Sequence, residues 1–275
     1  MWDAEQYSKF SRERSRPFDD LMGQVTAEHP ESIVDLGCGP GGLTRSLADR
    51  WPGARVLGVD NSPDMLEKAR PLAIPGRLEF VRADIAHWMA DGPIDLLVSN
   101  AALHWLGVHE ALFTRLVAML SPAGTLAVQM PDRFQTPSQD AIEAAASDPR
   151  WRSLLEGVGL HRESAKSLVW YVRLLRDLGF AVNAWQTTYV HVLSGENPVL
   201  DWLKGTALRP LLERLDSSQA DDFLSEVGMR LQAAYPPTGS VTFFPMPRLF
   251  FVATRSRPRS PDARTGIADE RLAAE

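Results

Sequence analysis

The chain has 275 residues, 44% of them hydrophobic, and its 29 Lys and Arg against 35 Asp and Glu give a net charge of −6 at pH 7. This length can bury a sizeable core, either in one domain with insertions or in two small domains. The acidic balance argues against a nucleic-acid backbone as the main partner, and the single cysteine, Cys38, excludes an internal disulfide and a cysteine-based metal site.

No apolar run approaches the ~20 residues that span a bilayer, and the first residues, MWDAE, lack the basic start of a signal peptide. We therefore expect a cytoplasmic protein that does not bind membranes. The six histidines are scattered, and none pairs at i and i+4 with an acid between them, so we also expect no metal site. The sequence does not fix the oligomeric state, and a monomer is compatible with it.

Residues 3 to 29 are predicted to form two helices that lie against the core. In the first, Tyr7, Phe10 and Arg14 recur at i, i+3 and i+7, which puts two aromatic rings and a guanidinium on one face. Pro17 suits the first turn of the second helix. The apolar stripe of that second helix consists of Phe18, Leu21, Met22 and Val25. Arg14 stands out from the neighbouring arginines, which are typical of a solvated charge run, because its face is the aromatic one.

The stretch IVDLGCGPGG, residues 33–42, joins an apolar run to a turn that only glycines can make, and a helical period follows. Gly37, Gly39 and Gly41 can take positive φ and let the backbone approach a ligand closely. The pattern predicts a nucleoside-type cofactor site. Gly37, Gly39 and Gly42 also spell G-x-G-x-x-G, the dinucleotide fingerprint, so the glycines alone do not choose a cofactor.

Three acidic residues accompany this loop. Asp35 precedes the first glycine by two residues, where it can accept hydrogen bonds from the turn or from a cofactor amino group and would repel a buried pyrophosphate. Asp60 ends the second apolar strand, the position at which a ribose diol is held. Asp84 ends the third strand. Three carboxylates around one crevice suit an adenine amino group and a cationic sulfonium, and they suit dinucleotide phosphates poorly.

The next elements continue the alternation of strands and helices. A helix begins near Asn61 to Met65, with Ser62 as its cap. The fourth strand, residues 91–100, delivers Asn100, His104 and Trp105 to the crevice in which such sheets bind ligands. We expect His104 to act through shape or hydrogen bonding rather than as a base. A helix over residues 110–120 and a fifth strand over residues 125–130 follow.

The last third of the chain mixes insertions with two strands. A helix capped by Ser164 carries Tyr171 in its buried stripe. Alternation over residues 181–193 predicts a strand that places Trp185, Thr187, Tyr189 and His191 on one face. The second insertion is predicted to contain a helix around residues 199–202, another around 208–215, and a third capped by Ser217 or Ser218. Residues 248–254 are predicted to form the last strand, pairing with the sixth.

These segments carry a family resemblance. VDLGCGPG, GVD, RADI and SNAALHW resemble the class I S-adenosylmethionine-dependent methyltransferases over residues 30 to 130. More narrowly, the opening YSKFSRERSRP and the later TTYVH, DWLKGTALRP and PRLFFVA resemble the trans-aconitate methyltransferases, which extends the likeness to about residue 254. Trp170 and Tyr171 stand where that family usually shows paired tyrosines.

The resemblance implies an α/β fold: a seven-stranded, doubly wound, mostly parallel sheet of the Rossmann-like class I methyltransferase type, with an antiparallel last strand and helical lid insertions. It implies one domain over residues 1–255, with lid helices in residues 1–30 and insertions at 131–164 and 194–246 near the substrate site. Residues 256–275, rich in Arg, Pro, Asp and Glu, are expected to be a disordered tail.

The resemblance also implies S-adenosylmethionine as cofactor, S-adenosylhomocysteine as product, and methylation of one carboxylate of a small polycarboxylate, trans-aconitate. The residues expected to bind the cofactor are Asp35, Gly37, Gly39, Gly41, Asp60, Asn61, Met65, Asp84, Ile85, Asn100 and Trp105. Those expected to bind the substrate are Tyr7, Arg14, Trp105, Tyr171, Tyr189, His191 and Arg209. No general base is expected, because a carboxylate is already ionised.

Several alternatives stay open at this point. Arg14 could hold the cofactor's carboxylate instead of the substrate, and Arg209 could merely cap a helix ahead of Pro210. The substrate could be another small carboxylic acid or metabolite. A nicotinamide-dependent oxidoreductase shares the glycine loop and Asp60, and a methyltransferase-like binding protein would keep the fold without the activity.

Overall fold

The computed structural model describes residues 11–132, 136–158 and 166–255, with side chains from residue 15 onward. The strands in this part are β1 (Ser32–Leu36), β2 (Arg55–Asp60), β3 (Leu78–Arg82), β4 (Ile94–Asn100), β5 (Leu120–Pro131), β6 (Phe180–Ser194) and β7 (Val241–Arg255). They form one seven-stranded sheet in the order β3-β2-β1-β4-β5-β7-β6. The first five strands pair in parallel, and β7 runs antiparallel to both β5 and β6. The predicted α/β fold class is confirmed.

The helices that the structure describes connect and cover these strands. They are α1 (Ser11–Met22), α2 (Gly42–Arg50), α3 (Pro63–Ala69), α4 (His109–Ala118), α5 (Pro137–Ala146), α6 (Pro149–Arg152), α7 (Leu168–Asp177), α8 (Pro198–Lys204), α9 (Arg209–Leu212) and α10 (Ser217–Ala234), with 3-10 turns at Arg70–Leu72 and Leu103–Trp105. Side chains of Ser62 and Thr136 accept hydrogen bonds at the starts of α3 and α5, as good N-caps do. None of these helices is both long enough and apolar enough to cross a bilayer.

Side chains alternate along the strands, so the sheet buries two faces. One face carries Val98, Ala127 and Phe250 and packs against α1 and α2; we call it the α1 face. The opposite face carries Leu97, Val128 and Phe251 and packs against α4 and α7; we call it the α7 face. A side chain's position in its strand therefore decides which helices it meets.

A third cluster of buried residues lies in the two segments that interrupt the end of the sheet. Here α5, α6, α8, α9 and α10 pack around Trp151, Trp202, Phe223 and other apolar side chains. Leu193 of β6 and Phe244 of β7 belong to the same cluster, which we call the insertion core. The two strands are each 15 residues long, so they link this core to the sheet.

The N-terminal helix differs from the prediction. From residue 11 onward, where the structure describes the chain, α1 runs through Pro17 as one continuous helix, whereas the sequence placed Pro17 at the start of a second helix. A proline removes one N–H from the hydrogen-bond ladder and disfavours a helix interior. The burial of Phe18, Leu21 and Met22 against the sheet offsets that loss.

The last strand also begins earlier than predicted, at Val241 instead of residue 248, so the insertion covers residues 195–240. Pro245 and Pro247 argued against a strand here, because proline cannot donate to a ladder. In the structure both pair with β6, while β7 pairs with β5 only from Arg248 onward. Among the described residues, one edge of β7 has no strand partner at these prolines, and an unpaired edge is where a strand tolerates proline.

Smaller corrections concern caps and ends. The helix that contains Tyr171 is capped by Ser167, whose hydroxyl accepts from the Trp170 amide at 3.3 Å, while the predicted cap at position 164 lies outside the described residues. The cap of α10 is Asp216 instead of a serine, and it forms a capping box with Gln219. β5 begins at Leu120 and not at residue 125.

Candidate active site

The crevice lies at the carboxyl ends of β1 and β4. From β1 the chain proceeds outward to β2 and β3 and then returns to β4 on the other side of β1. Such a reversal of direction opens a crevice beyond the strand ends, where doubly wound sheets bind ligands. The glycine loop after β1 and the turn after β4 meet there, because Gly37 lies against Ala102.

All three predicted loop glycines adopt positive φ, with values of 78° at Gly37, 55° at Gly39 and 79° at Gly41. A Cβ added to Gly37 would lie 2.2 Å from the Ala102 Cβ, and one added to Gly41 would lie 2.8 Å from Phe80. A Cβ on Gly39 would meet nothing within 4 Å. The outer two glycines are therefore needed for packing, and the middle one borders open space.

Asp60 ties the glycine loop to the next helix. Its Oδ2 accepts from the Gly39 amide at 2.8 Å, and its Oδ1 accepts from the Ser62 amide at 2.9 Å. The Met65 amide in turn donates to the Ser62 hydroxyl at 3.4 Å, and Asn61 is exposed beside it. Each carboxylate oxygen can accept more than one hydrogen bond, so Asp60 keeps capacity for a ligand hydroxyl.

Asp35 lies beneath the loop and is only 3% exposed. Its Oδ2 accepts from the Thr44 hydroxyl at 2.7 Å. Burial raises the pKa of Asp35 from 3.8 to about 6; the Thr44 hydrogen bond opposes this rise and the negative charge of Asp60 adds to it. A positive group in the crevice would favour the ionised form of this carboxyl group.

Asp84 and Ile85 follow β3, and a Cβ added to Gly37 would lie 3.6 Å from the Ile85 Cδ1. Asp84 accepts from the Ala86 amide and pairs with His87 Nδ1, both at 2.9 Å. The hydrogen bond from the amide lowers the pKa of Asp84 most, and the one with His87 adds to this effect. Arg115 of α4 donates to the backbone carbonyls of Ile85, at 2.7 Å, and of Ala86. The loop at the end of β3 is thus fixed by a side chain from a distant helix.

The turn after β4 begins with Asn100 and contains a strained residue, Ala101, at φ 54°. Trp105 is half-buried there, and its ring lies 4.7 Å from that of His104, centroid to centroid. His109 holds this turn, because its Nε2 lies 3.0 Å from the Leu103 carbonyl. That carbonyl can only accept, so His109 is protonated on Nε2 whenever it is neutral.

Tyr171 completes this support from the α7 face. Its hydroxyl lies 2.5 Å from His109 Nδ1 and accepts from the Lys166 amide at 3.0 Å. Burial lowers the pKa of His109, which favours the neutral ring, so Nδ1 accepts a hydrogen bond from the Tyr171 hydroxyl. Tyr171 is fully buried and stacks on Phe251. Tyr171 thus contacts the β4 turn through His109 from the α7 face, and its predicted role as a substrate ligand stays a prediction.

A charged cluster lies on the α1 face, formed by Arg16, Asp20, Tyr189 and Arg248. The Tyr189 hydroxyl donates to Asp20 Oδ2 at 2.6 Å, and the Arg16 guanidinium carbon lies 5.2 Å from the centre of its ring. Arg248 pairs with Thr187 in the sheet and is only 8% exposed. Burial and Asp20 raise the pKa of Tyr189, while the charges of Arg16 and Arg248 oppose the rise. The cluster thus contains two guanidinium groups and one carboxylate around the Tyr189 hydroxyl.

The sequence is similar to those of known methyltransferases. A family model described as a methyltransferase domain matches residues 33–124. The chain is 45% identical over 262 residues to a trans-aconitate 2-methyltransferase of Streptomyces coelicolor, covering 92% of this chain and 86% of the relative. It is 43% identical over 257 residues to a trans-aconitate 2-methyltransferase of Methylobacterium nodulans, covering 93% of this chain and 99% of the relative.

The chain belongs to the trans-aconitate 2-methyltransferase family. The predicted family is confirmed, and with it the prediction of an S-adenosylmethionine-dependent methyltransferase. Two solved structures are similar in fold. One is the YcgJ protein of a Bacillus species, with a TM-score of 0.58 and 11% identity, covering 88% of this chain and 99% of that chain. The other is a Haemonchus contortus phosphoethanolamine N-methyltransferase, with a TM-score of 0.52 and 17% identity, covering 88% of this chain and 53% of that chain.

The remaining predicted ligands of this methyltransferase are spread out. His191 packs against Trp202 of the insertion core, with ring centroids 4.5 Å apart and the ring planes tilted by 31°. Arg209 is exposed at the start of α9 and donates to Glu213 Oε1 at 2.8 Å, as expected for a surface pair at i and i+4. Tyr7 lies outside the described residues, and Arg14 is described only as part of the α1 backbone.

Arg248 is a buried charged residue that the sequence did not single out, although it lies in the PRLFFVA segment that carried the resemblance. The available signal was one charged residue at the head of an apolar strand, two positions from Phe250 and hence on the same face. The sequence predicted that the strand of Arg248 pairs with β6, but it could not predict which residues of the two strands lie opposite each other.

Proposed function

We propose that this methyltransferase transfers a methyl group from S-adenosylmethionine to one carboxylate of trans-aconitate, forming a monomethyl ester. The curated relatives carry that activity in their names, and the matched regions cover nearly the whole of each chain. The observation that carries the proposal is the buried guanidinium of Arg248 beside Tyr189 on the α1 face. A chain with a net charge of −6 needs such a local positive site to hold a polyanion.

The residues at the crevice fit the cofactor. Gly39 borders open space, and the Oδ1 of Asn100 is buried without a hydrogen-bond partner among the described residues, so it can accept from a ligand ammonium group. We assign the ribose hydroxyls to Asp60. The amino-acid end is assigned to Asp35 and Asn100, and the adenine to Asp84 and Ile85, flanked by Asn61 and Met65. When bound, the cofactor supplies an electrophilic methyl group on a positively charged sulfur.

The protein's own contribution is to bind and orient the substrate. Arg248, together with Arg16 or Arg14 of α1, is expected to hold the carboxylates that do not react. Each hydrogen bond between charged groups contributes roughly 1.5–3 kcal/mol, and it is lost for an acid that lacks the matching carboxylate. Trp105 closes the crevice side of the site. Correct positioning of the carboxylate lowers the activation barrier by up to ~7–11 kcal/mol. The site needs no general base, because the carboxylate is already ionised.

The experiment is to incubate the protein with S-adenosylmethionine and a panel of di- and tricarboxylic acids and to measure product masses. The expected result is a monomethyl ester of trans-aconitate, with weaker or no product from dicarboxylates. The variant Arg248→Met should lose this activity, while Glu213→Gln, which breaks only the surface pair of Arg209, should keep it. Esterification of a different acid, with trans-aconitate unreacted, would overturn the proposed substrate.

A further inference from the structure

Gln129 of β5 is a polar side chain that the fold leaves unsatisfied. It is 1% exposed, and neither its Nε2 nor its Oε1 has a hydrogen-bond partner in the part of the chain that the structure describes. Its neighbour across the strands is Asn100 of β4, whose Oδ1 is also buried without a partner there. Buried polar groups are nearly always hydrogen-bonded, so a pair of unsatisfied amides requires an explanation.

The position of the pair supplies one. Ala127 precedes Gln129 by two residues and belongs to the α1 face, and so does Phe250, the partner of Gln129 on β7. Side chains two residues apart in a strand share a face, so Gln129 continues the α1 face toward the carboxyl ends of the strands. Arg248 continues it on β7, two residues beyond Phe250. Gln129 thus stands between Asn100, at the crevice, and the charged cluster of Arg248 and Tyr189.

We propose that the side-chain amide of Gln129 binds the substrate carboxylate that is to be methylated, with Nε2 as hydrogen-bond donor. This inference rests on the proposed function, and it assigns a residue to the reacting group of that substrate. Adjacent strands lie about 4.8 Å apart, so β5 places Gln129 roughly one strand spacing from the crevice strand β4 and one from β7. A carboxylate that bridges these two regions meets the Gln129 amide between them.

The chemistry also favours an amide at this point. A guanidinium on the reacting carboxylate would neutralise the charge that makes its oxygen nucleophilic. A neutral N–H donor fixes the orientation of the carboxylate and leaves the negative charge on it. We assign the buried guanidinium of Arg248 to a carboxylate that does not react. The division between one neutral and one charged anchor distinguishes the reacting group from the others.

The test compares Gln129→Met, which keeps the size and removes the hydrogen bonds, with the parent protein. Because the amide is unsatisfied without ligand, the variant should have an unchanged or higher melting temperature in the ligand-free state. Its kcat/KM for trans-aconitate should fall roughly ten- to hundredfold, the loss of one hydrogen bond to a charged group. Calorimetry should show unchanged affinity for S-adenosylhomocysteine and weaker binding of trans-aconitate to the S-adenosylhomocysteine complex.

Gln139→Met is the matched control. Gln139 is a buried amide in α5 whose Nε2 is satisfied by Glu143 at 2.9 Å, so its loss should lower the melting temperature and leave kcat/KM unchanged. A Gln129→Met variant that is destabilised like this control, or that keeps the parent kcat/KM, would overturn the inference. The comparison uses whichever acid of the panel the parent protein esterifies, so a wrong substrate assignment shows in the parent and not in the variant.

Discussion

Replacing Asp35 by Asn is expected to stabilise the cofactor-free protein and to weaken its hold on the cofactor. Asp35 is buried, with the Thr44 hydroxyl as its side-chain partner. At 1.36 kcal/mol for each pKa unit, the rise from 3.8 to about 6 corresponds to about 3 kcal/mol. Keeping Asp35 ionised beneath the glycine loop destabilises the folded protein by this amount.

The sign and the pH window follow from the direction of the rise. A carboxyl group with a higher pKa in the folded state binds protons on folding, so ionisation destabilises the fold. The penalty is absent below the unfolded value of 3.8, grows as the pH rises and is complete above about 6. Asparagine cannot ionise, and its Oδ1 can still accept from Thr44. The free energy of unfolding of the variant should therefore exceed that of the parent by up to about 3 kcal/mol at neutral pH.

Urea unfolding of both proteins across this pH range measures the difference, and calorimetry measures S-adenosylhomocysteine affinity. The affinity of the parent should fall as the pH drops through about 6, because protonated Asp35 no longer attracts the ligand ammonium. The variant should bind more weakly at neutral pH. Asp49→Asn, an exposed acid paired with Arg45, serves as control and should change neither property. A variant less stable than the parent above pH 6 would refute the reasoning.

Four further perturbations test the other assignments. Asp60→Ala removes the acceptor of the loop amide and should weaken S-adenosylhomocysteine binding in calorimetry; unchanged affinity would reduce Asp60 to a strand-end cap. Arg248→Lys keeps the charge but loses the planar fork, so the KM for trans-aconitate should rise roughly tenfold or more without a change in cofactor affinity. Arg209→Lys is predicted from the resemblance to act likewise, and normal kinetics there would confine the role to Arg248. Tyr171→Phe should lower the melting temperature through its lost bond to His109, with little change in KM; a KM effect as large as that of Arg248→Lys would support the prediction that Tyr171 binds the substrate.

The cofactor half of the site could be predicted from sequence because its parts are local. Gly37, Gly39 and Gly41 take the positive φ that their spacing indicates. Asp60 ends its strand as expected and reaches the loop through contacts 21 residues apart. Parallel strands bring their carboxyl ends to one edge of the sheet, so motifs at the strand ends are enough to predict where the cofactor site lies.

The substrate half could not be predicted in the same way, since it depends on register and on which face a helix covers. The bond between Tyr189 and Asp20 joins residues 169 positions apart. Alternation correctly grouped Tyr189 with His191, both of which are buried. It could not show that α7 covers the opposite face and carries Tyr171 away from them. Gln129 gave no signal, because one glutamine in an apolar strand has no local pattern.

The long pairing of β6 with β7 also constrains how this enzyme can change over evolution. Along β6, Tyr189 and His191 point inward while Val190 and Val192 face solvent. Deletion of a single residue from this strand would exchange the two sets, since side chains alternate with a period of two. Such a deletion would remove Tyr189 from the charged cluster and Leu193 from the insertion core at once. Residues 195–240 connect the strands through loops and helices and can gain or lose length. Divergence in substrate choice is therefore expected to accumulate as length changes in that segment and as point substitutions in the paired strands.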